Sequence, residues 1–247
     1  MAQDGKNSDQ SPLRVEVSAK RVRAYLGGHV VLDTTEPRLV WEVPKYPHYY
    51  VRRDDVVAEL VPSGHVRASR RRGPATLFGV RVEGHKAPDA ASVFDHAEQA
   101  ELRELVRVDW NAMDAWFEED EQVFVHPRDP YRRIDIMPTS RHVHVEVDGQ
   151  VLADTQRAHA VFETGEPPRY YLAKTDVRTD LFDHSSTVNY CPHKGEAEFW
   201  HLRIGRHEYT DAAWSFRHPL PECTRMAAMV SFDPSVVEVL VDGIRQV

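Results

Sequence analysis

Cysteine is scarce in this sequence, and that scarcity excludes several classes of protein. Only two of the 247 residues are cysteine, Cys191 and Cys223, so a disulfide-rich scaffold is excluded and a reducing compartment is indicated. Structural zinc sites are typically built from two close cysteine pairs, whereas no CxxC pair occurs here and a zinc ion would need distant histidines such as His201 or His218. We therefore expect no metal ligands and no cofactor.

Long apolar runs and a surplus of positive charge are also lacking. No stretch approaches the roughly 18 apolar residues of a membrane span, so no membrane partner is expected. The N-terminal MAQDGKNSDQSPL has neither a signal-peptide core nor transit-peptide arginines, which predicts a cytoplasmic protein with a disordered tail over residues 1–13. The net charge of -8 argues against a nucleic acid partner, and the basic RASRRRG at 67–73 is interpreted as a solvated loop.

What the sequence does contain is an internal repeat of about 121 residues. Residues 21–60 align without a gap on residues 142–181, with thirteen of forty positions identical, among them Gly28 with Gly149. In a register shifted by one residue, DAASVF in the first half falls on DAAWSF in the second half. The chain is therefore interpreted as a tandem duplication, which favours a monomer that is internally a pseudo-dimer.

The elements of each copy are predicted to be mostly strands. VHVEVDGQVLAD alternates apolar and polar residues around an Asp-Gly pair, which is a hairpin signature. Helix signals are few: DWNAMDAWFEEDEQ offers Asp109 as an N-cap before apolar residues at helical spacing, and AEQAELRELV suits one or two turns. We expect a mainly β protein with two antiparallel domains, 14–125 and 142–247, and a few short helical turns.

The connector predicted between the copies, residues 126–141, is rich in proline, arginine and aspartate. Proline lacks the donor that a central strand needs, which excludes a core strand. Two interpretations remain open, a structural clamp of ion pairs and a segment that lines a site between the domains. The second interpretation adds Arg128, Tyr131 and Arg132 to the candidate site.

CPHKGEAEFW followed by DAAWSF, a MVSF strand and a terminal VEVLVDG resembles the domain of unknown function 427 (DUF427) family. The resemblance covers about residues 14–245 and implies a β-tent fold, with two antiparallel sheets meeting at an angle. It also implies kinship with methionine sulfoxide reductase B and the thalidomide-binding domain of cereblon, in which a zinc ion pins the sheets and an aromatic cage can hold a flat uracil-like or imide ligand. Some groupings label the family nucleotidyltransferase-like.

The two copies depart from each other at the motif itself. The CPHKG block of residues 191–195 is replaced by SRRRG at 69–73, and Trp214 is replaced by Ser92. A function that depends on this block is therefore expected only in the second copy.

The second copy combines cationic and aromatic residues in the pattern of a small-molecule pocket. Lys194 stands before Gly195 and can bind a polar ligand group, or cap a turn, or act as a nucleophile. Cys191 is either a catalytic thiol or a small buried hydrophobe. If their strands pair, Trp200, Trp214 and Phe216 form a flat-walled slot, although each also suits a packed core. The candidate catalytic residues are Cys191 and Lys194, and the candidate ligand-binding residues are Tyr171, Tyr190, His193, Lys194, Trp200, Trp214, Phe216, Arg128, Tyr131 and Arg132.

The predicted function is binding of a small, flat polar molecule, nucleobase-like or imide-like, in the second domain. An enzyme that uses Cys191 or Lys194 is the alternative. A nucleotidyltransferase-like activity is less well supported, because that chemistry needs paired carboxylates on one face, whereas Asp54 and Asp55 point to opposite faces of an extended chain.

Overall fold

The computed structural model describes residues 12–69 and 71–246. The described chain consists mainly of strands, with short 3-10 turns between some of them. It divides between Asp129 and Pro130 into two compact units. The expected mainly β architecture with two tandem copies is confirmed.

The first unit forms two antiparallel sheets. Its described strands are β1 (Val15–Val17), β2 (Val22–Leu26), β3 (His29–Thr34), β4 (Arg38–Val43), β5 (Tyr46–Arg52), β6 (Glu59–Arg67), β7 (Ala75–Val82), β8 (His85–Val93), β9 (Leu105–Val108), β10 (Ala115–Glu118) and β11 (Glu121–Val123). The larger sheet has the order β1-β4-β5-β9-β8-β7-β6, and the smaller has the order β11-β10-β2-β3. The 3-10 turns are Arg53–Asp55, Ala100–Leu102 and Trp110–Ala112.

The second unit repeats this pattern. Its described strands are β12 (Ile134–Pro138), β13 (Val143–Val147), β14 (Gln150–Thr155), β15 (His159–Glu163), β16 (Arg169–Ala173), β17 (Phe182–Cys191), β18 (Gly195–Ile204), β19 (His207–Pro219), β20 (Met229–Phe232), β21 (Glu238–Val241) and β22 (Ile244–Arg245). The larger sheet has the order β12-β15-β16-β20-β19-β18-β17, and the smaller has the order β14-β13-β21-β22. The 3-10 turns are Lys174–Asp176, Thr179–Leu181 and Pro221–Met226.

Equivalent residues of the repeat occupy equivalent places. Gly28 and Gly149 both lie in the hairpin turn that opens the smaller sheet, with φ of +80° and +74°, a conformation that glycine adopts without the strain of a Cβ atom. Thr155 Oγ1 donates to Asp176 Oδ2 at 2.7 Å, and the corresponding pair in the first unit has the same distance. The tandem duplication predicted from the ungapped alignment is confirmed.

Among the described residues, each unit has two apolar clusters, one on each face of its larger sheet. The first cluster joins the larger sheet to the smaller one, as Trp41 and Trp116 do in the first unit. The second cluster covers the opposite face, which we call the outer face. In the second unit the outer face is covered by Cys223 and Met226 of the Pro221–Met226 turn, both fully buried.

Three local expectations need revision. Asp109 caps a turn by accepting from Asn111 N at 3.2 Å, but the predicted helix is wrong because the chain becomes strand β10 from Ala115, where Trp116 is buried in the core. The segment expected as a connector contains β12, an edge strand, where proline is tolerated. Of the expected tail, residues 1–11 lie outside the described residues, and Leu13 is buried in the first unit.

Candidate functional site

The CPHKG block is a tight turn between β17 and β18. Lys194 N donates to Cys191 O at 3.2 Å, and Cys191 pairs with Gly195 in the ladder. Gly195 has a φ of +103°, and a Cβ atom at this position would lie 2.8 Å from the carbonyl oxygen of His218. The close approach of the neighbouring strand β19 therefore requires a glycine at this position.

This turn places Lys194 against a buried carboxylate, Glu163 at the end of β15. Lys194 Nζ forms an ion pair with Glu163 Oε2, and Arg132 Nε lies 2.5 Å from Glu163 Oε1. The Glu163 side chain is 8% exposed. Burial alone would raise the pKa of Glu163, but Lys194 and Arg132 together lower it below its ordinary value. Arg132 also pairs with Glu166 at 3.0 Å, so it clamps two carboxylates of the second unit.

Aromatic residues cover the outer face beside this charged cluster. Trp214 Nε1 donates to the Tyr171 hydroxyl at 3.0 Å, and the Phe199 ring lies 6.4 Å from the Trp214 ring between centroids. Trp214 and Phe199 are partly exposed, whereas Tyr171 and Phe216 are buried. Burial raises the pKa of Tyr171, and the charge of Glu163 adds to that rise. Tyr171 therefore contacts the aromatic patch through Trp214 and lies near enough to Glu163 for that charge to affect its pKa.

Trp200 does not belong to this patch, so the expected slot between two tryptophans is not formed. In the ladder Trp214 pairs with Phe199, which places Trp200 on the other face of β18. Trp200 packs on the inner cluster, and its Nε1 donates to Ser215 Oγ at 3.2 Å. Only Trp214 and Phe216 of the three predicted wall residues share the outer face.

Several other predicted site residues lie apart from the patch. Tyr190 pairs with Glu196 and follows the strand alternation to the face opposite Cys191. Tyr131 is 54% exposed. Arg128 belongs to the first unit, where it forms an ion pair with Glu121 at 2.5 Å. The ion pairs of Arg128 and Arg132 agree with the clamp interpretation of the connector.

The two cysteines have different environments. Cys191 is partly exposed and packs at the edge of the outer-face cluster. Cys223 is fully buried, and its Sγ donates to the carbonyl oxygen of His193 at 3.4 Å. Burial raises the pKa of the Cys223 thiol to about 11. Of the two thiols, Cys191 is the one that reagents and ligands can reach.

The buried carboxylates were missed by the sequence reasoning, although a signal for them was present. Glu42 and Glu163 are identical residues at equivalent positions of the ungapped repeat. In the first unit Glu42 pairs with Arg72 at 2.8 Å and with Arg107 at 2.8 Å. Arg72 stands where Lys194 does, so a buried acid with a cation from the turn is common to both copies. The interpretation of 67–73 as a solvated loop is wrong for Arg72, whose side chain is 20% exposed.

Neither a metal-binding cluster nor a membrane-spanning helix occurs among the described residues. Within residues 12–69 and 71–246, no group of three or more histidine, cysteine, aspartate or glutamate side chains is arranged to hold a metal ion. In the same ranges no helix has the length and apolar character that a membrane crossing requires.

A model of a known family matches most of the chain in two pieces. The family model for the domain of unknown function DUF427 matches residues 14–119 and 135–243. The chain belongs to this family and carries two tandem copies of its domain. No curated protein matches the chain.

Proposed function

We propose that the second unit binds a small, flat polar molecule, nucleobase-like or imide-like, on the outer face of its larger sheet. The observation that supports this proposal is the arrangement around Tyr171. Its hydroxyl contacts the partly exposed indole of Trp214 on one side, and Glu163 lies close enough to influence its ionisation on the other. An aromatic wall and fixed polar groups on one surface are the usual components of a small-molecule site.

Each part of this surface has a distinct task in the proposal. The Trp214 ring provides a flat apolar wall on which a planar ligand stacks. The buried Tyr171 hydroxyl accepts a hydrogen bond from the indole and so fixes the orientation of the Trp214 ring. Lys194 and Arg132 are held in place by Glu163, so their N–H donors are fixed in position and lose little side-chain freedom on binding.

The first test identifies the ligand. Small molecules released from the purified, denatured chain are analysed by mass spectrometry, and uracil serves as a defined probe in a titration calorimetry experiment. We expect retention of a planar compound with amide or imide edges. Recovery of only non-planar, aliphatic compounds would contradict the stacking role of Trp214.

The second test uses a substitution that the fold already tolerates in its other copy. Trp214→Ser introduces the residue that the first unit carries as Ser92, and it should weaken binding by about 1 to 3 kcal/mol through loss of the stacking wall. Trp200→Phe is the matched control, because Trp200 lies on the inner face of the same sheet. Equal weakening by both variants would show that binding depends on general stability and not on the proposed surface.

The alternative function is an enzyme that uses Cys191 or Lys194. In a binding site, Cys191→Ser leaves ligand affinity nearly intact. In a thiol enzyme, the same variant keeps affinity but abolishes turnover, and a thiol reagent inactivates the protein. The ion pair of Lys194 with Glu163 suits a lysine that binds charge and not one that attacks a carbonyl. A nucleotidyltransferase-like activity remains a hypothesis that nucleotide turnover assays test directly.

A further inference from the structure

The outer face of the first unit carries a charged cluster of a different composition, centred on Glu42. Arg72 Nη1 lies 2.8 Å from Glu42 Oε2, and Arg107 Nε lies 2.8 Å from Glu42 Oε1. Arg71 Nη1 donates to the backbone carbonyl of Glu42 at 3.0 Å. Three arginines from the β6–β7 connection and from β9 therefore converge on one acidic residue.

This cluster holds more positive than negative charge. Within the described ranges, Glu42 is the only carboxylate that forms an ion pair with Arg71, Arg72 or Arg107. His48 lies 3.8 Å from Glu42 Oε1 and adds no further charge at neutral pH. Burial lowers the pKa of His48 to about 4, with Arg107 and Arg72 adding to the effect against the opposing influence of Glu42. Two positive charges remain without a matching carboxylate.

The unmatched charge lies in a place where water compensates poorly. The side chains of Glu42, Arg107 and Arg72 are only 14%, 15% and 20% exposed. Two buried nitrogen atoms around Glu42 have no hydrogen-bond partner among the described residues: Arg71 Nε and His48 Nδ1. Partly buried cations without a counter-charge are costly, and the cost is relieved when an anion binds.

The second unit lacks this surplus. There Arg132 bridges Glu163 and Glu166 while Lys194 pairs with Glu163, so two cations face two carboxylates. The surplus in the first unit therefore does not follow from the shared fold. It arises from Arg72, which is equivalent to Lys194, from the adjacent Arg71, and from Arg107 on β9.

We propose that the first unit binds a phosphate group through Arg71, Arg72 and Arg107. Planar guanidinium groups bind phosphate oxygens in pairs of parallel hydrogen bonds, and a dianion matches the two charges in excess. The Arg72 guanidinium is supported by the Phe94 ring, whose centroid lies 5.5 Å from it. This site is separate from the one proposed for the second unit, and neither depends on the other.

The test is a titration of the full chain with inorganic phosphate at pH 7.5 and low ionic strength, followed by calorimetry. Arg107→Gln should weaken phosphate binding by at least about tenfold, because it removes a charged donor. Arg81→Gln is the control, since Arg81 pairs with Glu59 at an exposed position of the same unit and carries the same charge. An equal effect of both variants would show nonspecific attraction and would overturn the proposal, as would acetate binding as tightly as phosphate.

A second variant keeps the test decisive if Arg107→Gln folds poorly. Glu42→Gln increases the positive surplus, so phosphate should raise the melting temperature of this variant more than that of the wild-type chain. If the arginines served only to hold Glu42 in place, phosphate would stabilise neither protein. That result would overturn the proposal.

Discussion

The buried carboxylate Glu163 offers the sharpest test of how the second unit is held together. Replacing it by glutamine keeps the shape of the side chain but removes the charge that Lys194 and Arg132 share. Both cations would then be left near the outer-face cluster with only Glu166 as a partner for Arg132. The substitution therefore converts a balanced cluster into one with an uncompensated positive charge.

The size of the effect follows from the exposure of the groups involved. Removing one partner of a fully buried ion pair costs about 3 to 5 kcal/mol, whereas exposed pairs contribute about 0 to 1 kcal/mol. Glu163 is 8% exposed, but Lys194 and Arg132 retain 19% and 15% exposure and keep some contact with water. We therefore expect Glu163→Gln to lower the free energy of unfolding by about 2 to 4 kcal/mol.

The assay is urea unfolding followed by circular dichroism, with Asp180→Asn as the control. Asp180 forms an ion pair with Arg178, and both side chains are more than half exposed. The double variant Glu163→Gln, Lys194→Met should lose less than the sum of the single losses, because the second change removes the charge left unpaired by the first. A loss for Glu163→Gln no larger than that for Asp180→Asn would refute the reasoning.

The same carboxylate predicts a direction of pH dependence. The folded-state pKa of Glu163 lies below its ordinary value of 4.5, so the unfolded chain takes up the proton first as the pH falls. The stability that Glu163 provides is present above about pH 4.5 and is lost as the pH falls through the lower folded-state pKa. The stability difference between wild type and Glu163→Gln should therefore shrink below pH 4.5, and a difference constant down to pH 3 would contradict this assignment.

Three further predictions concern single residues. At pH 8 a thiol reagent should label Cys191 well before Cys223, which is fully buried with its pKa raised to about 11; equal rates measured by mass spectrometry would contradict this. Gly195→Ala should lower the free energy of unfolding, measured by thermal unfolding, by about 3 kcal/mol, because the added Cβ atom would lie 2.8 Å from a carbonyl oxygen. Gly149→Ala should lower it by only about 1 kcal/mol, because the space around that position is open. Hydrogen bonds to two carboxylates raise the pKa of His144 above its ordinary 6.5. The stability that His144 provides is therefore present below pH 6.5 and is lost as the pH rises through its folded-state pKa. NMR titration should show the raised pKa of His144, and an unshifted pKa would contradict this prediction.

The fold was predictable from the sequence because the duplication supplies an internal alignment. Two copies that keep glycine in the same hairpin and tyrosines in the same strand must place those residues in equivalent surroundings, as Gly28 and Gly149 show. Periodicity alone was less reliable. Around Asp109 the apolar residues have helical spacing, yet Trp116 is drawn into the core as part of a strand, because tertiary packing outweighs local preference.

The candidate site was predictable only in part, because neighbouring residues of a strand face opposite sides of the sheet and bulges shift the register of paired strands. Trp200 and Trp214 lie close in the sequence on paired strands, and the sequence does not say which residue faces which. The β18–β19 ladder has irregularities on both sides of the segment that contains Trp200. A shift of one residue exchanges the two faces of a strand. The turn residues Cys191 and Lys194 were predicted, whereas the acid that pairs with the lysine came from a distant strand.

One substitution explains why equivalent tyrosines have different partners in the two units. In the second unit the Tyr171 hydroxyl accepts from Trp214 Nε1 at 3.0 Å. In the first unit the position of Trp214 is occupied by Ser92, which is buried, and the Tyr50 hydroxyl donates to Glu42 Oε1 at 2.8 Å.

Without an indole, the first unit has no exposed aromatic wall at this position, and its tyrosine becomes part of the charged cluster. With the indole, the tyrosine of the second unit is held at the edge of an aromatic surface. Both arrangements use equivalent strands and an equivalent buried glutamate. The two copies therefore share the residues that hold the outer face together and differ in the side chains exposed on it. This difference supports two separate proposals, a planar ligand for the second unit and an anion for the first.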